Sequence, residues 1–183
     1  MSAPEEAARA VLAFWFDEVG KDRWFAKDPD LDHEIARRFG ELREEVVASR
    51  AAGWRTSAAT MTAAILLTDQ FSRNIHRGRR RAFEADALAL ELALEALDRG
   101  WSHSAPKDWR AFLLMPLMHS EEPKIQQRSV AEFARLGDPL NLDFAVKHRD
   151  QIARFGRFPG RNTALGRVST PEERAALEAG AAF

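Results

Sequence analysis

Ser57-Ala58-Ala59-Thr60-Met61-Thr62-Ala63-Ala64-Ile65-Leu66-Leu67 is small or apolar around every turn of a helix. Such a helix has no polar face to give to solvent, so it belongs at the centre of a bundle, with Thr56 or Ser57 as its cap. Elements of helical period lie on both sides of it. Ala7, Val11, Phe14 and Trp15 recur at i, i+4, i+7 and i+8 and predict a first helix ending near Gly20. Asp28-Pro29 pairs an N-cap with proline at the first helical position and opens a second helix, with Leu31, Ile35, Phe39, Leu42 and Val46 on one stripe, that stops at Gly53.

Downstream, a helix over about 82–100 is expected with Phe83, Ala87, Leu90, Leu94 and Leu97 inward and Gly100 as C-cap. Asp108 to His119 contains Pro116, whose missing N–H and ring clash predict a kink or an early stop. Glu121–Leu136 and Leu140–Phe155 follow, divided by the turn Gly137-Asp138-Pro139, and Thr170-Pro171-Glu172-Glu173 is a capping box that opens the last helix. Strand material is scarce: Tyr is absent and runs of alternating β-branched residues are missing. The reading is one all-α domain over 1–183, a helical array or bundle of about seven to nine helices, with no clean repeat period.

Composition narrows the chemistry. The 27 Lys+Arg and 28 Asp+Glu of the 183 residues leave a net charge of -1, which speaks against bulk electrostatic binding of nucleic acid. The cluster Arg73, Arg77, Arg79, Arg80 and Arg81 carries no reader motif, so nucleic acid is not an expected partner. No cysteine means no thiolate nucleophile and no thiolate-held metal. An acidic N-terminus and the lack of a long uncharged run point to a soluble cytoplasmic protein without a membrane role.

Polar residues interrupt apolar context at three places. In Asp69-Gln70-Phe71-Ser72-Arg73-Asn74-Ile75-His76-Arg77, Asp69, Arg73 and either His76 or Arg77 fall on one ridge that can meet a ligand; Asp69 and Arg73 can equally pair with each other and with neighbouring helices. In His119-Ser120-Glu121-Glu122, with Gln126 following, Ser120 can cap the next helix with both glutamates in its first turn, while His119 offers acid/base chemistry or a donor to a carbonyl near Pro116. In the third segment His148 shares an apolar face with Phe144, Ile152 and Phe155, the place of a core histidine satisfied by a carboxylate or of a second acid/base group. After it, Arg154, Arg157, Arg161, Asn162 and Arg167 crowd a Gly/Pro-punctuated stretch; such arginines clamp a carboxylate or phosphate, or tie the loop to acidic helix ends. His119, His148, Asp69 and Glu121 show no compact ligand spacing, so neither a metal nor another cofactor is expected.

Val11 to Phe16, Trp24-Phe25, Asp69-Gln70-Phe71 with Arg73-Asn74 and Arg77-Gly78, His119-Ser120-Glu121 with Gln126, and Arg154-Phe155-Gly156-Arg157-Phe158-Pro159 with Arg161-Asn162 and Leu165-Gly166-Arg167 together resemble an uncharacterised bacterial family, a domain of unknown function, over about 11–177. The resemblance implies a tetratricopeptide-like all-helical fold and no established activity. The chain departs from the family pattern at Ser72, more often proline, at His76, often phenylalanine, and at Gly160, often histidine. If the family used a histidine at that last place, this member lacks it.

Two functions compete. One is a helical binding protein whose groove presents Asp69, Arg73, His119, His148, Arg157 and Arg161 to a peptide, a protein or a small anion. The other is a small hydrolase or transferase for an anionic substrate, with His119 or His148 as acid/base and the arginines holding the anion. In a third account the same residues only lock helices together. Five tryptophans, Trp15, Trp24 and Trp54 among them, leave room for an apolar face shared in a homo-oligomer.

Overall fold

Ser57 caps the central helix as its sequence demands, accepting the Thr60 N–H at 3.2 Å, and from Thr60 to Phe71 every residue is buried. The computed structural model describes residues 2–180, whose regular structure is all helical, with no strand among them. Eight helices reach eight residues or more: α1 (Ala3–Leu12), α2 (Pro29–Ala48), α3 (Ala58–Ile65), α5 (Asp86–Asp98), α7 (Lys107–Met118), α8 (Pro123–Leu136), α9 (Pro139–Phe155) and α11 (Pro171–Glu178). Three single turns, α4 (Ser72–Ile75), α6 (Trp101–Ser104) and α10 (Asn162–Leu165), complete the set. The chain divides into two compact units, residues 1–77 with 81–116, and residues 78–80 with 117–183.

In the first unit α1 and α5 pack on α3, and α2 packs on the chain that continues from it. Two stretches of π-helix, Ala13–Val19 after α1 and Leu66–Phe71 after α3, widen the turn where aromatic residues crowd. The first lets three consecutive rings reach separate partners: Phe14 meets Phe39 at 5.0 Å, Trp15 meets Phe71 at 5.3 Å, and Phe16 meets Phe112 at 5.5 Å. The looser turn leaves the Trp15 carbonyl able to accept the Trp24 indole N–H at 2.8 Å as well as the Gly20 N–H. In the second unit α8 and α9 pack as a pair over Phe133, Ala145, Ile152 and Phe158, and α10 and α11 gather on the 3-10 turn Pro159–Arg161.

Several local expectations need correction. Helix α2 ends at Ala48 rather than Gly53, because Arg50 (φ 52°) and Ala51 (φ 56°) turn left-handed. On its inner stripe Arg43 is fully buried where Leu42 was expected, and Leu42 is half-buried. Helix α5 begins at Asp86, and it buries Leu88, Ala89, Leu92, Ala93 and Ala96 instead of the leucine stripe; the alanines let α3 approach closely. Pro116 does not stop α7, which runs two residues past it. Glu121 and Glu122 precede α8, whose first residue is Pro123, so they occupy no first turn. Trp15 and Trp54 are buried, which leaves Trp24 as the partly exposed member of the three tryptophans considered for a shared face.

Candidate functional site

The ridge expected at 69–77 divides. Asp69, 1% exposed, accepts the Gln70 amide at 2.6 Å and lies 3.0 Å from the Arg73 guanidinium, which also forks onto Asp86 at 3.0 and 3.1 Å. Burial disfavours the charge on Arg73, yet the Asp69 and Asp86 carboxylates outweigh it and hold the guanidinium above its ordinary range. Asn74 and Arg77 turn the other way, to the Asp32 carboxylate at 2.8 and 2.6 Å. The π-turn carrying Asp69 and Gln70 shifts the register, so Arg77 and Asp69 do not share a line. Beside them, Arg43 donates to Ser72 Oγ at 3.0 Å and to Glu84 at 2.7 Å, and His76 Nε2 lies 3.7 Å from Glu44. Ser72 and His76 thus both fall on the Arg43 cluster.

The second unit gathers the other candidates. His148 is buried, and its Nδ1 lies 2.7 Å from the Phe144 carbonyl. A carbonyl can only accept, so Nδ1 is the donor in this contact. The His119 ring lies 6.0 Å from that of His148, and Phe158 stands edge-on to His148 at 5.4 Å. Gln126 pins the chain around His119, donating to the carbonyls of Met118 and Ser120 at 2.7 and 2.6 Å, while Arg161 donates to the His119 carbonyl at 2.8 Å.

Three of the arginines expected to hold an anion already hold carboxylates of this chain. Arg167 forks onto Glu121 at 2.8 and 3.0 Å, Arg154 meets Glu172 at 2.8 Å, and Arg157 forks onto Glu173 at 2.7 and 2.9 Å. Asn162 also reaches Glu173, at 3.2 Å. The Arg157 fork first, and then the Thr170 N–H, draw the Glu173 carboxyl down to about 2. Ser120 Oγ accepts the Glu122 N–H at 3.2 Å, which is a local turn contact. Gly160 is exposed in the 3-10 turn.

A different feature is open. In the first unit a groove of about 600 Å³ runs along α1 and its π-helical continuation, closed by the N-terminus of α3 and by Trp109 of α7. Its walls are mainly apolar, from Ala8, Leu12, Ala13, Phe16 and Ala59, and among the described residues the charged side chains on it are Glu5, Arg9 and Asp17. Phe16 and Trp109 stack at 5.9 Å. Sequence periodicity placed Phe14 and Trp15 in the core and was silent on Phe16, Asp17 and Trp109, because the groove needs three separate helices. Among the described residues, no group of three or more His, Asp or Glu side chains is placed to hold a metal ion, and no helix is long and apolar enough to cross a membrane.

Comparison with known proteins agrees with this helical architecture. A protein of unknown function from Agrobacterium tumefaciens, ATU0120, has a solved structure that superposes with a TM-score of 0.90 at 38% sequence identity, over 96% of this chain and 99% of that one. No curated protein matches. The model of a family described as bacterial protein of unknown function (DUF924) matches residues 11–181, and the chain therefore belongs to the DUF924 family.

Proposed function

We propose that the protein is a helical binding protein and that its ligand, a peptide segment or a small molecule of similar size, occupies the groove along α1. The observation that carries this reading is the groove itself: about 600 Å³, mainly apolar and carrying a few charged groups, within the range of small-ligand sites. The polar motifs support it from the other side. An incoming anion would have to displace Glu121 from Arg167, or Glu173 from Arg157, both held by two hydrogen bonds.

A second reading, a small hydrolase or transferase for an anionic substrate, has one observation in its favour. The imidazoles of His119 and His148 lie 6.0 Å apart, and the Phe144 carbonyl fixes the orientation of the His148 ring through Nδ1, the arrangement of a histidine pair that can exchange protons with a substrate. One experiment separates the two. Wild type, Ala59→Trp and Ala13→Trp, which fill the groove, and His119→Ala and His148→Ala are screened by thermal shift against a panel of peptides, metabolites and nucleotides. A ligand at 100 times its Kd stabilises wild type by about 2.7 kcal/mol. The groove reading requires that this gain disappear in the folded tryptophan variants and persist in the histidine variants. The opposite pattern, or turnover of the hit that is lost with His148, overturns it in favour of the enzyme.

A further inference from the structure

We infer that the groove takes a cation: its occupant is a peptide segment in which a lysine or arginine is set among apolar residues, with the charged head held between Asp17 and the Phe16–Trp109 ring pair. This rests on the groove being the binding site and adds the chemistry of what enters it.

The protein solves the same recognition problem twice on the neighbouring surface, each time with its own chain. Lys21 Nζ lies 6.0 Å from the centroid of the Trp24 ring and 2.7 Å from the Asp108 carboxylate. The Arg38 guanidinium lies 4.4 Å from the Phe14 centroid and 2.6 Å from Glu18. In both, a cation sits against a ring, whose π face is negative, and is neutralised by a carboxylate. Phe16 and Trp109, joined to Trp24 through the Phe16–Trp24 contact at 5.5 Å, repeat the ring half of this arrangement, and Asp17 repeats the carboxylate half. Asp17 is exposed and makes no ion pair or side-chain hydrogen bond among the described residues. The other two charges on the wall are of opposite sign: Glu5, whose carboxylate accepts the Ser2 N–H at 2.8 Å, and Arg9, one helical turn along. What the groove presents to a ligand is therefore the Asp17 carboxylate, without an ion pair or side-chain hydrogen bond among the described residues, beside two rings.

The apolar remainder decides for a peptide over a free ammonium ion. A groove of about 600 Å³ is larger than one basic side chain, and Ala8, Leu12, Ala13 and Ala59 form a smooth surface for aliphatic neighbours of the cation.

The test uses three capped five-residue peptides, alanine-leucine-X-leucine-alanine, in which X is lysine, glutamate or norleucine, titrated into the whole protein by calorimetry with tryptophan fluorescence in parallel. The lysine peptide is expected to bind about tenfold more tightly than norleucine and more tightly still than glutamate, as a ring contact plus one partly exposed charge pair allow. Asp17→Asn is expected to erase most of the lysine preference, and Asp17→Lys to invert it toward glutamate. Circular dichroism on each variant shows that it is folded. Equal binding of the lysine and norleucine peptides, abolished together by Ala59→Trp, overturns the cation while the groove reading stands. Preference for glutamate in wild type, or a lysine preference that survives Asp17→Asn, also overturns it. If no peptide binds, the inference fails, and the ligand panel with the tryptophan variants decides the groove separately.

Discussion

The ridge at Asp69–Arg77 and the groove along α1 belong to the same compact unit and are built from opposite materials. The ridge is polar in an apolar setting, and each charge on it has found a partner: Arg73 meets Asp69 and Asp86, and Arg77 meets Asp32. The groove is apolar in a polar setting, and Asp17 on its wall has no such partner among the described residues. Burying a charge is tolerated only when it is paired, so a carboxylate or guanidinium inside an apolar run implies a nearby counter-charge before it implies a ligand. An exposed apolar groove carries the reverse message, since nothing in the fold requires it to stay open.

The contrast is broken most readily at Asp69. Asp69→Ala removes a buried carboxylate from Arg73 and from the Gln70 amide, and loss of one partner of such a pair costs about 3–5 kcal/mol. For a chain of this size that is a fall in Tm of roughly 6–20 °C by calorimetry. A variant that keeps its Tm yet loses a ligand would move Asp69 from the structural class to the functional one.

How far the sequence could show this depended on distance along the chain. Caps were legible because their chemistry is local: Asp28 accepts the N–H groups of Asp30 and Leu31 at 3.1 Å, and Thr170 with Glu173 forms the expected box. The central helix was legible because it has no second face. The inner face of α5 was not, since Asp86-Ala87-Leu88-Ala89-Leu90-Glu91-Leu92-Ala93-Leu94-Glu95 holds two overlapping apolar stripes, and the choice falls to the partner, α3. Arg43 was missed because its burial is licensed by Ser72 and Glu84, 29 and 41 residues away. The arginines of the third segment are visible in sequence as a cluster, but their acidic partners on other elements, Glu121, Glu172 and Glu173, set what they do.

A second, smaller effect is expected from pH. Burial, with Arg81 and Arg43 nearby, pushes the His76 imidazole below its ordinary 6.5, and Glu44 and Glu84 offset this only in part. A base whose folded pKa is lowered contributes stability above its unfolded pKa, and that stability is lost as pH falls below 6.5 toward the folded value. Wild type should therefore lose stability on acidification from pH 7 to 5.5, with a slope no steeper than about 1.4 kcal/mol per pH unit for one proton. His76→Phe should flatten that loss in a series of urea melts. Glu173 acts in a separate window, contributing above 4.5 and losing its contribution as pH falls toward about 2. An unchanged slope in His76→Phe would place the acid sensitivity elsewhere.

The smallest effect is the one that sharpens the contrast most. Asp17→Asn changes one exposed side chain of the groove that has, among the described residues, neither an ion pair nor a side-chain hydrogen bond to lose, so its stability should match wild type within about 0.5 kcal/mol in the same urea melts. Asp69→Asn keeps shape and also removes a charge, yet it strips Arg73 of a buried counter-ion 3.0 Å away and should cost several times more. The two substitutions are chemically identical, so any difference between them measures the surroundings. If Asp17→Asn proved as costly as Asp69→Asn, the groove carboxylate would be part of the scaffold. A near-zero cost leaves it without a structural duty, which is the condition for a residue that waits for a ligand.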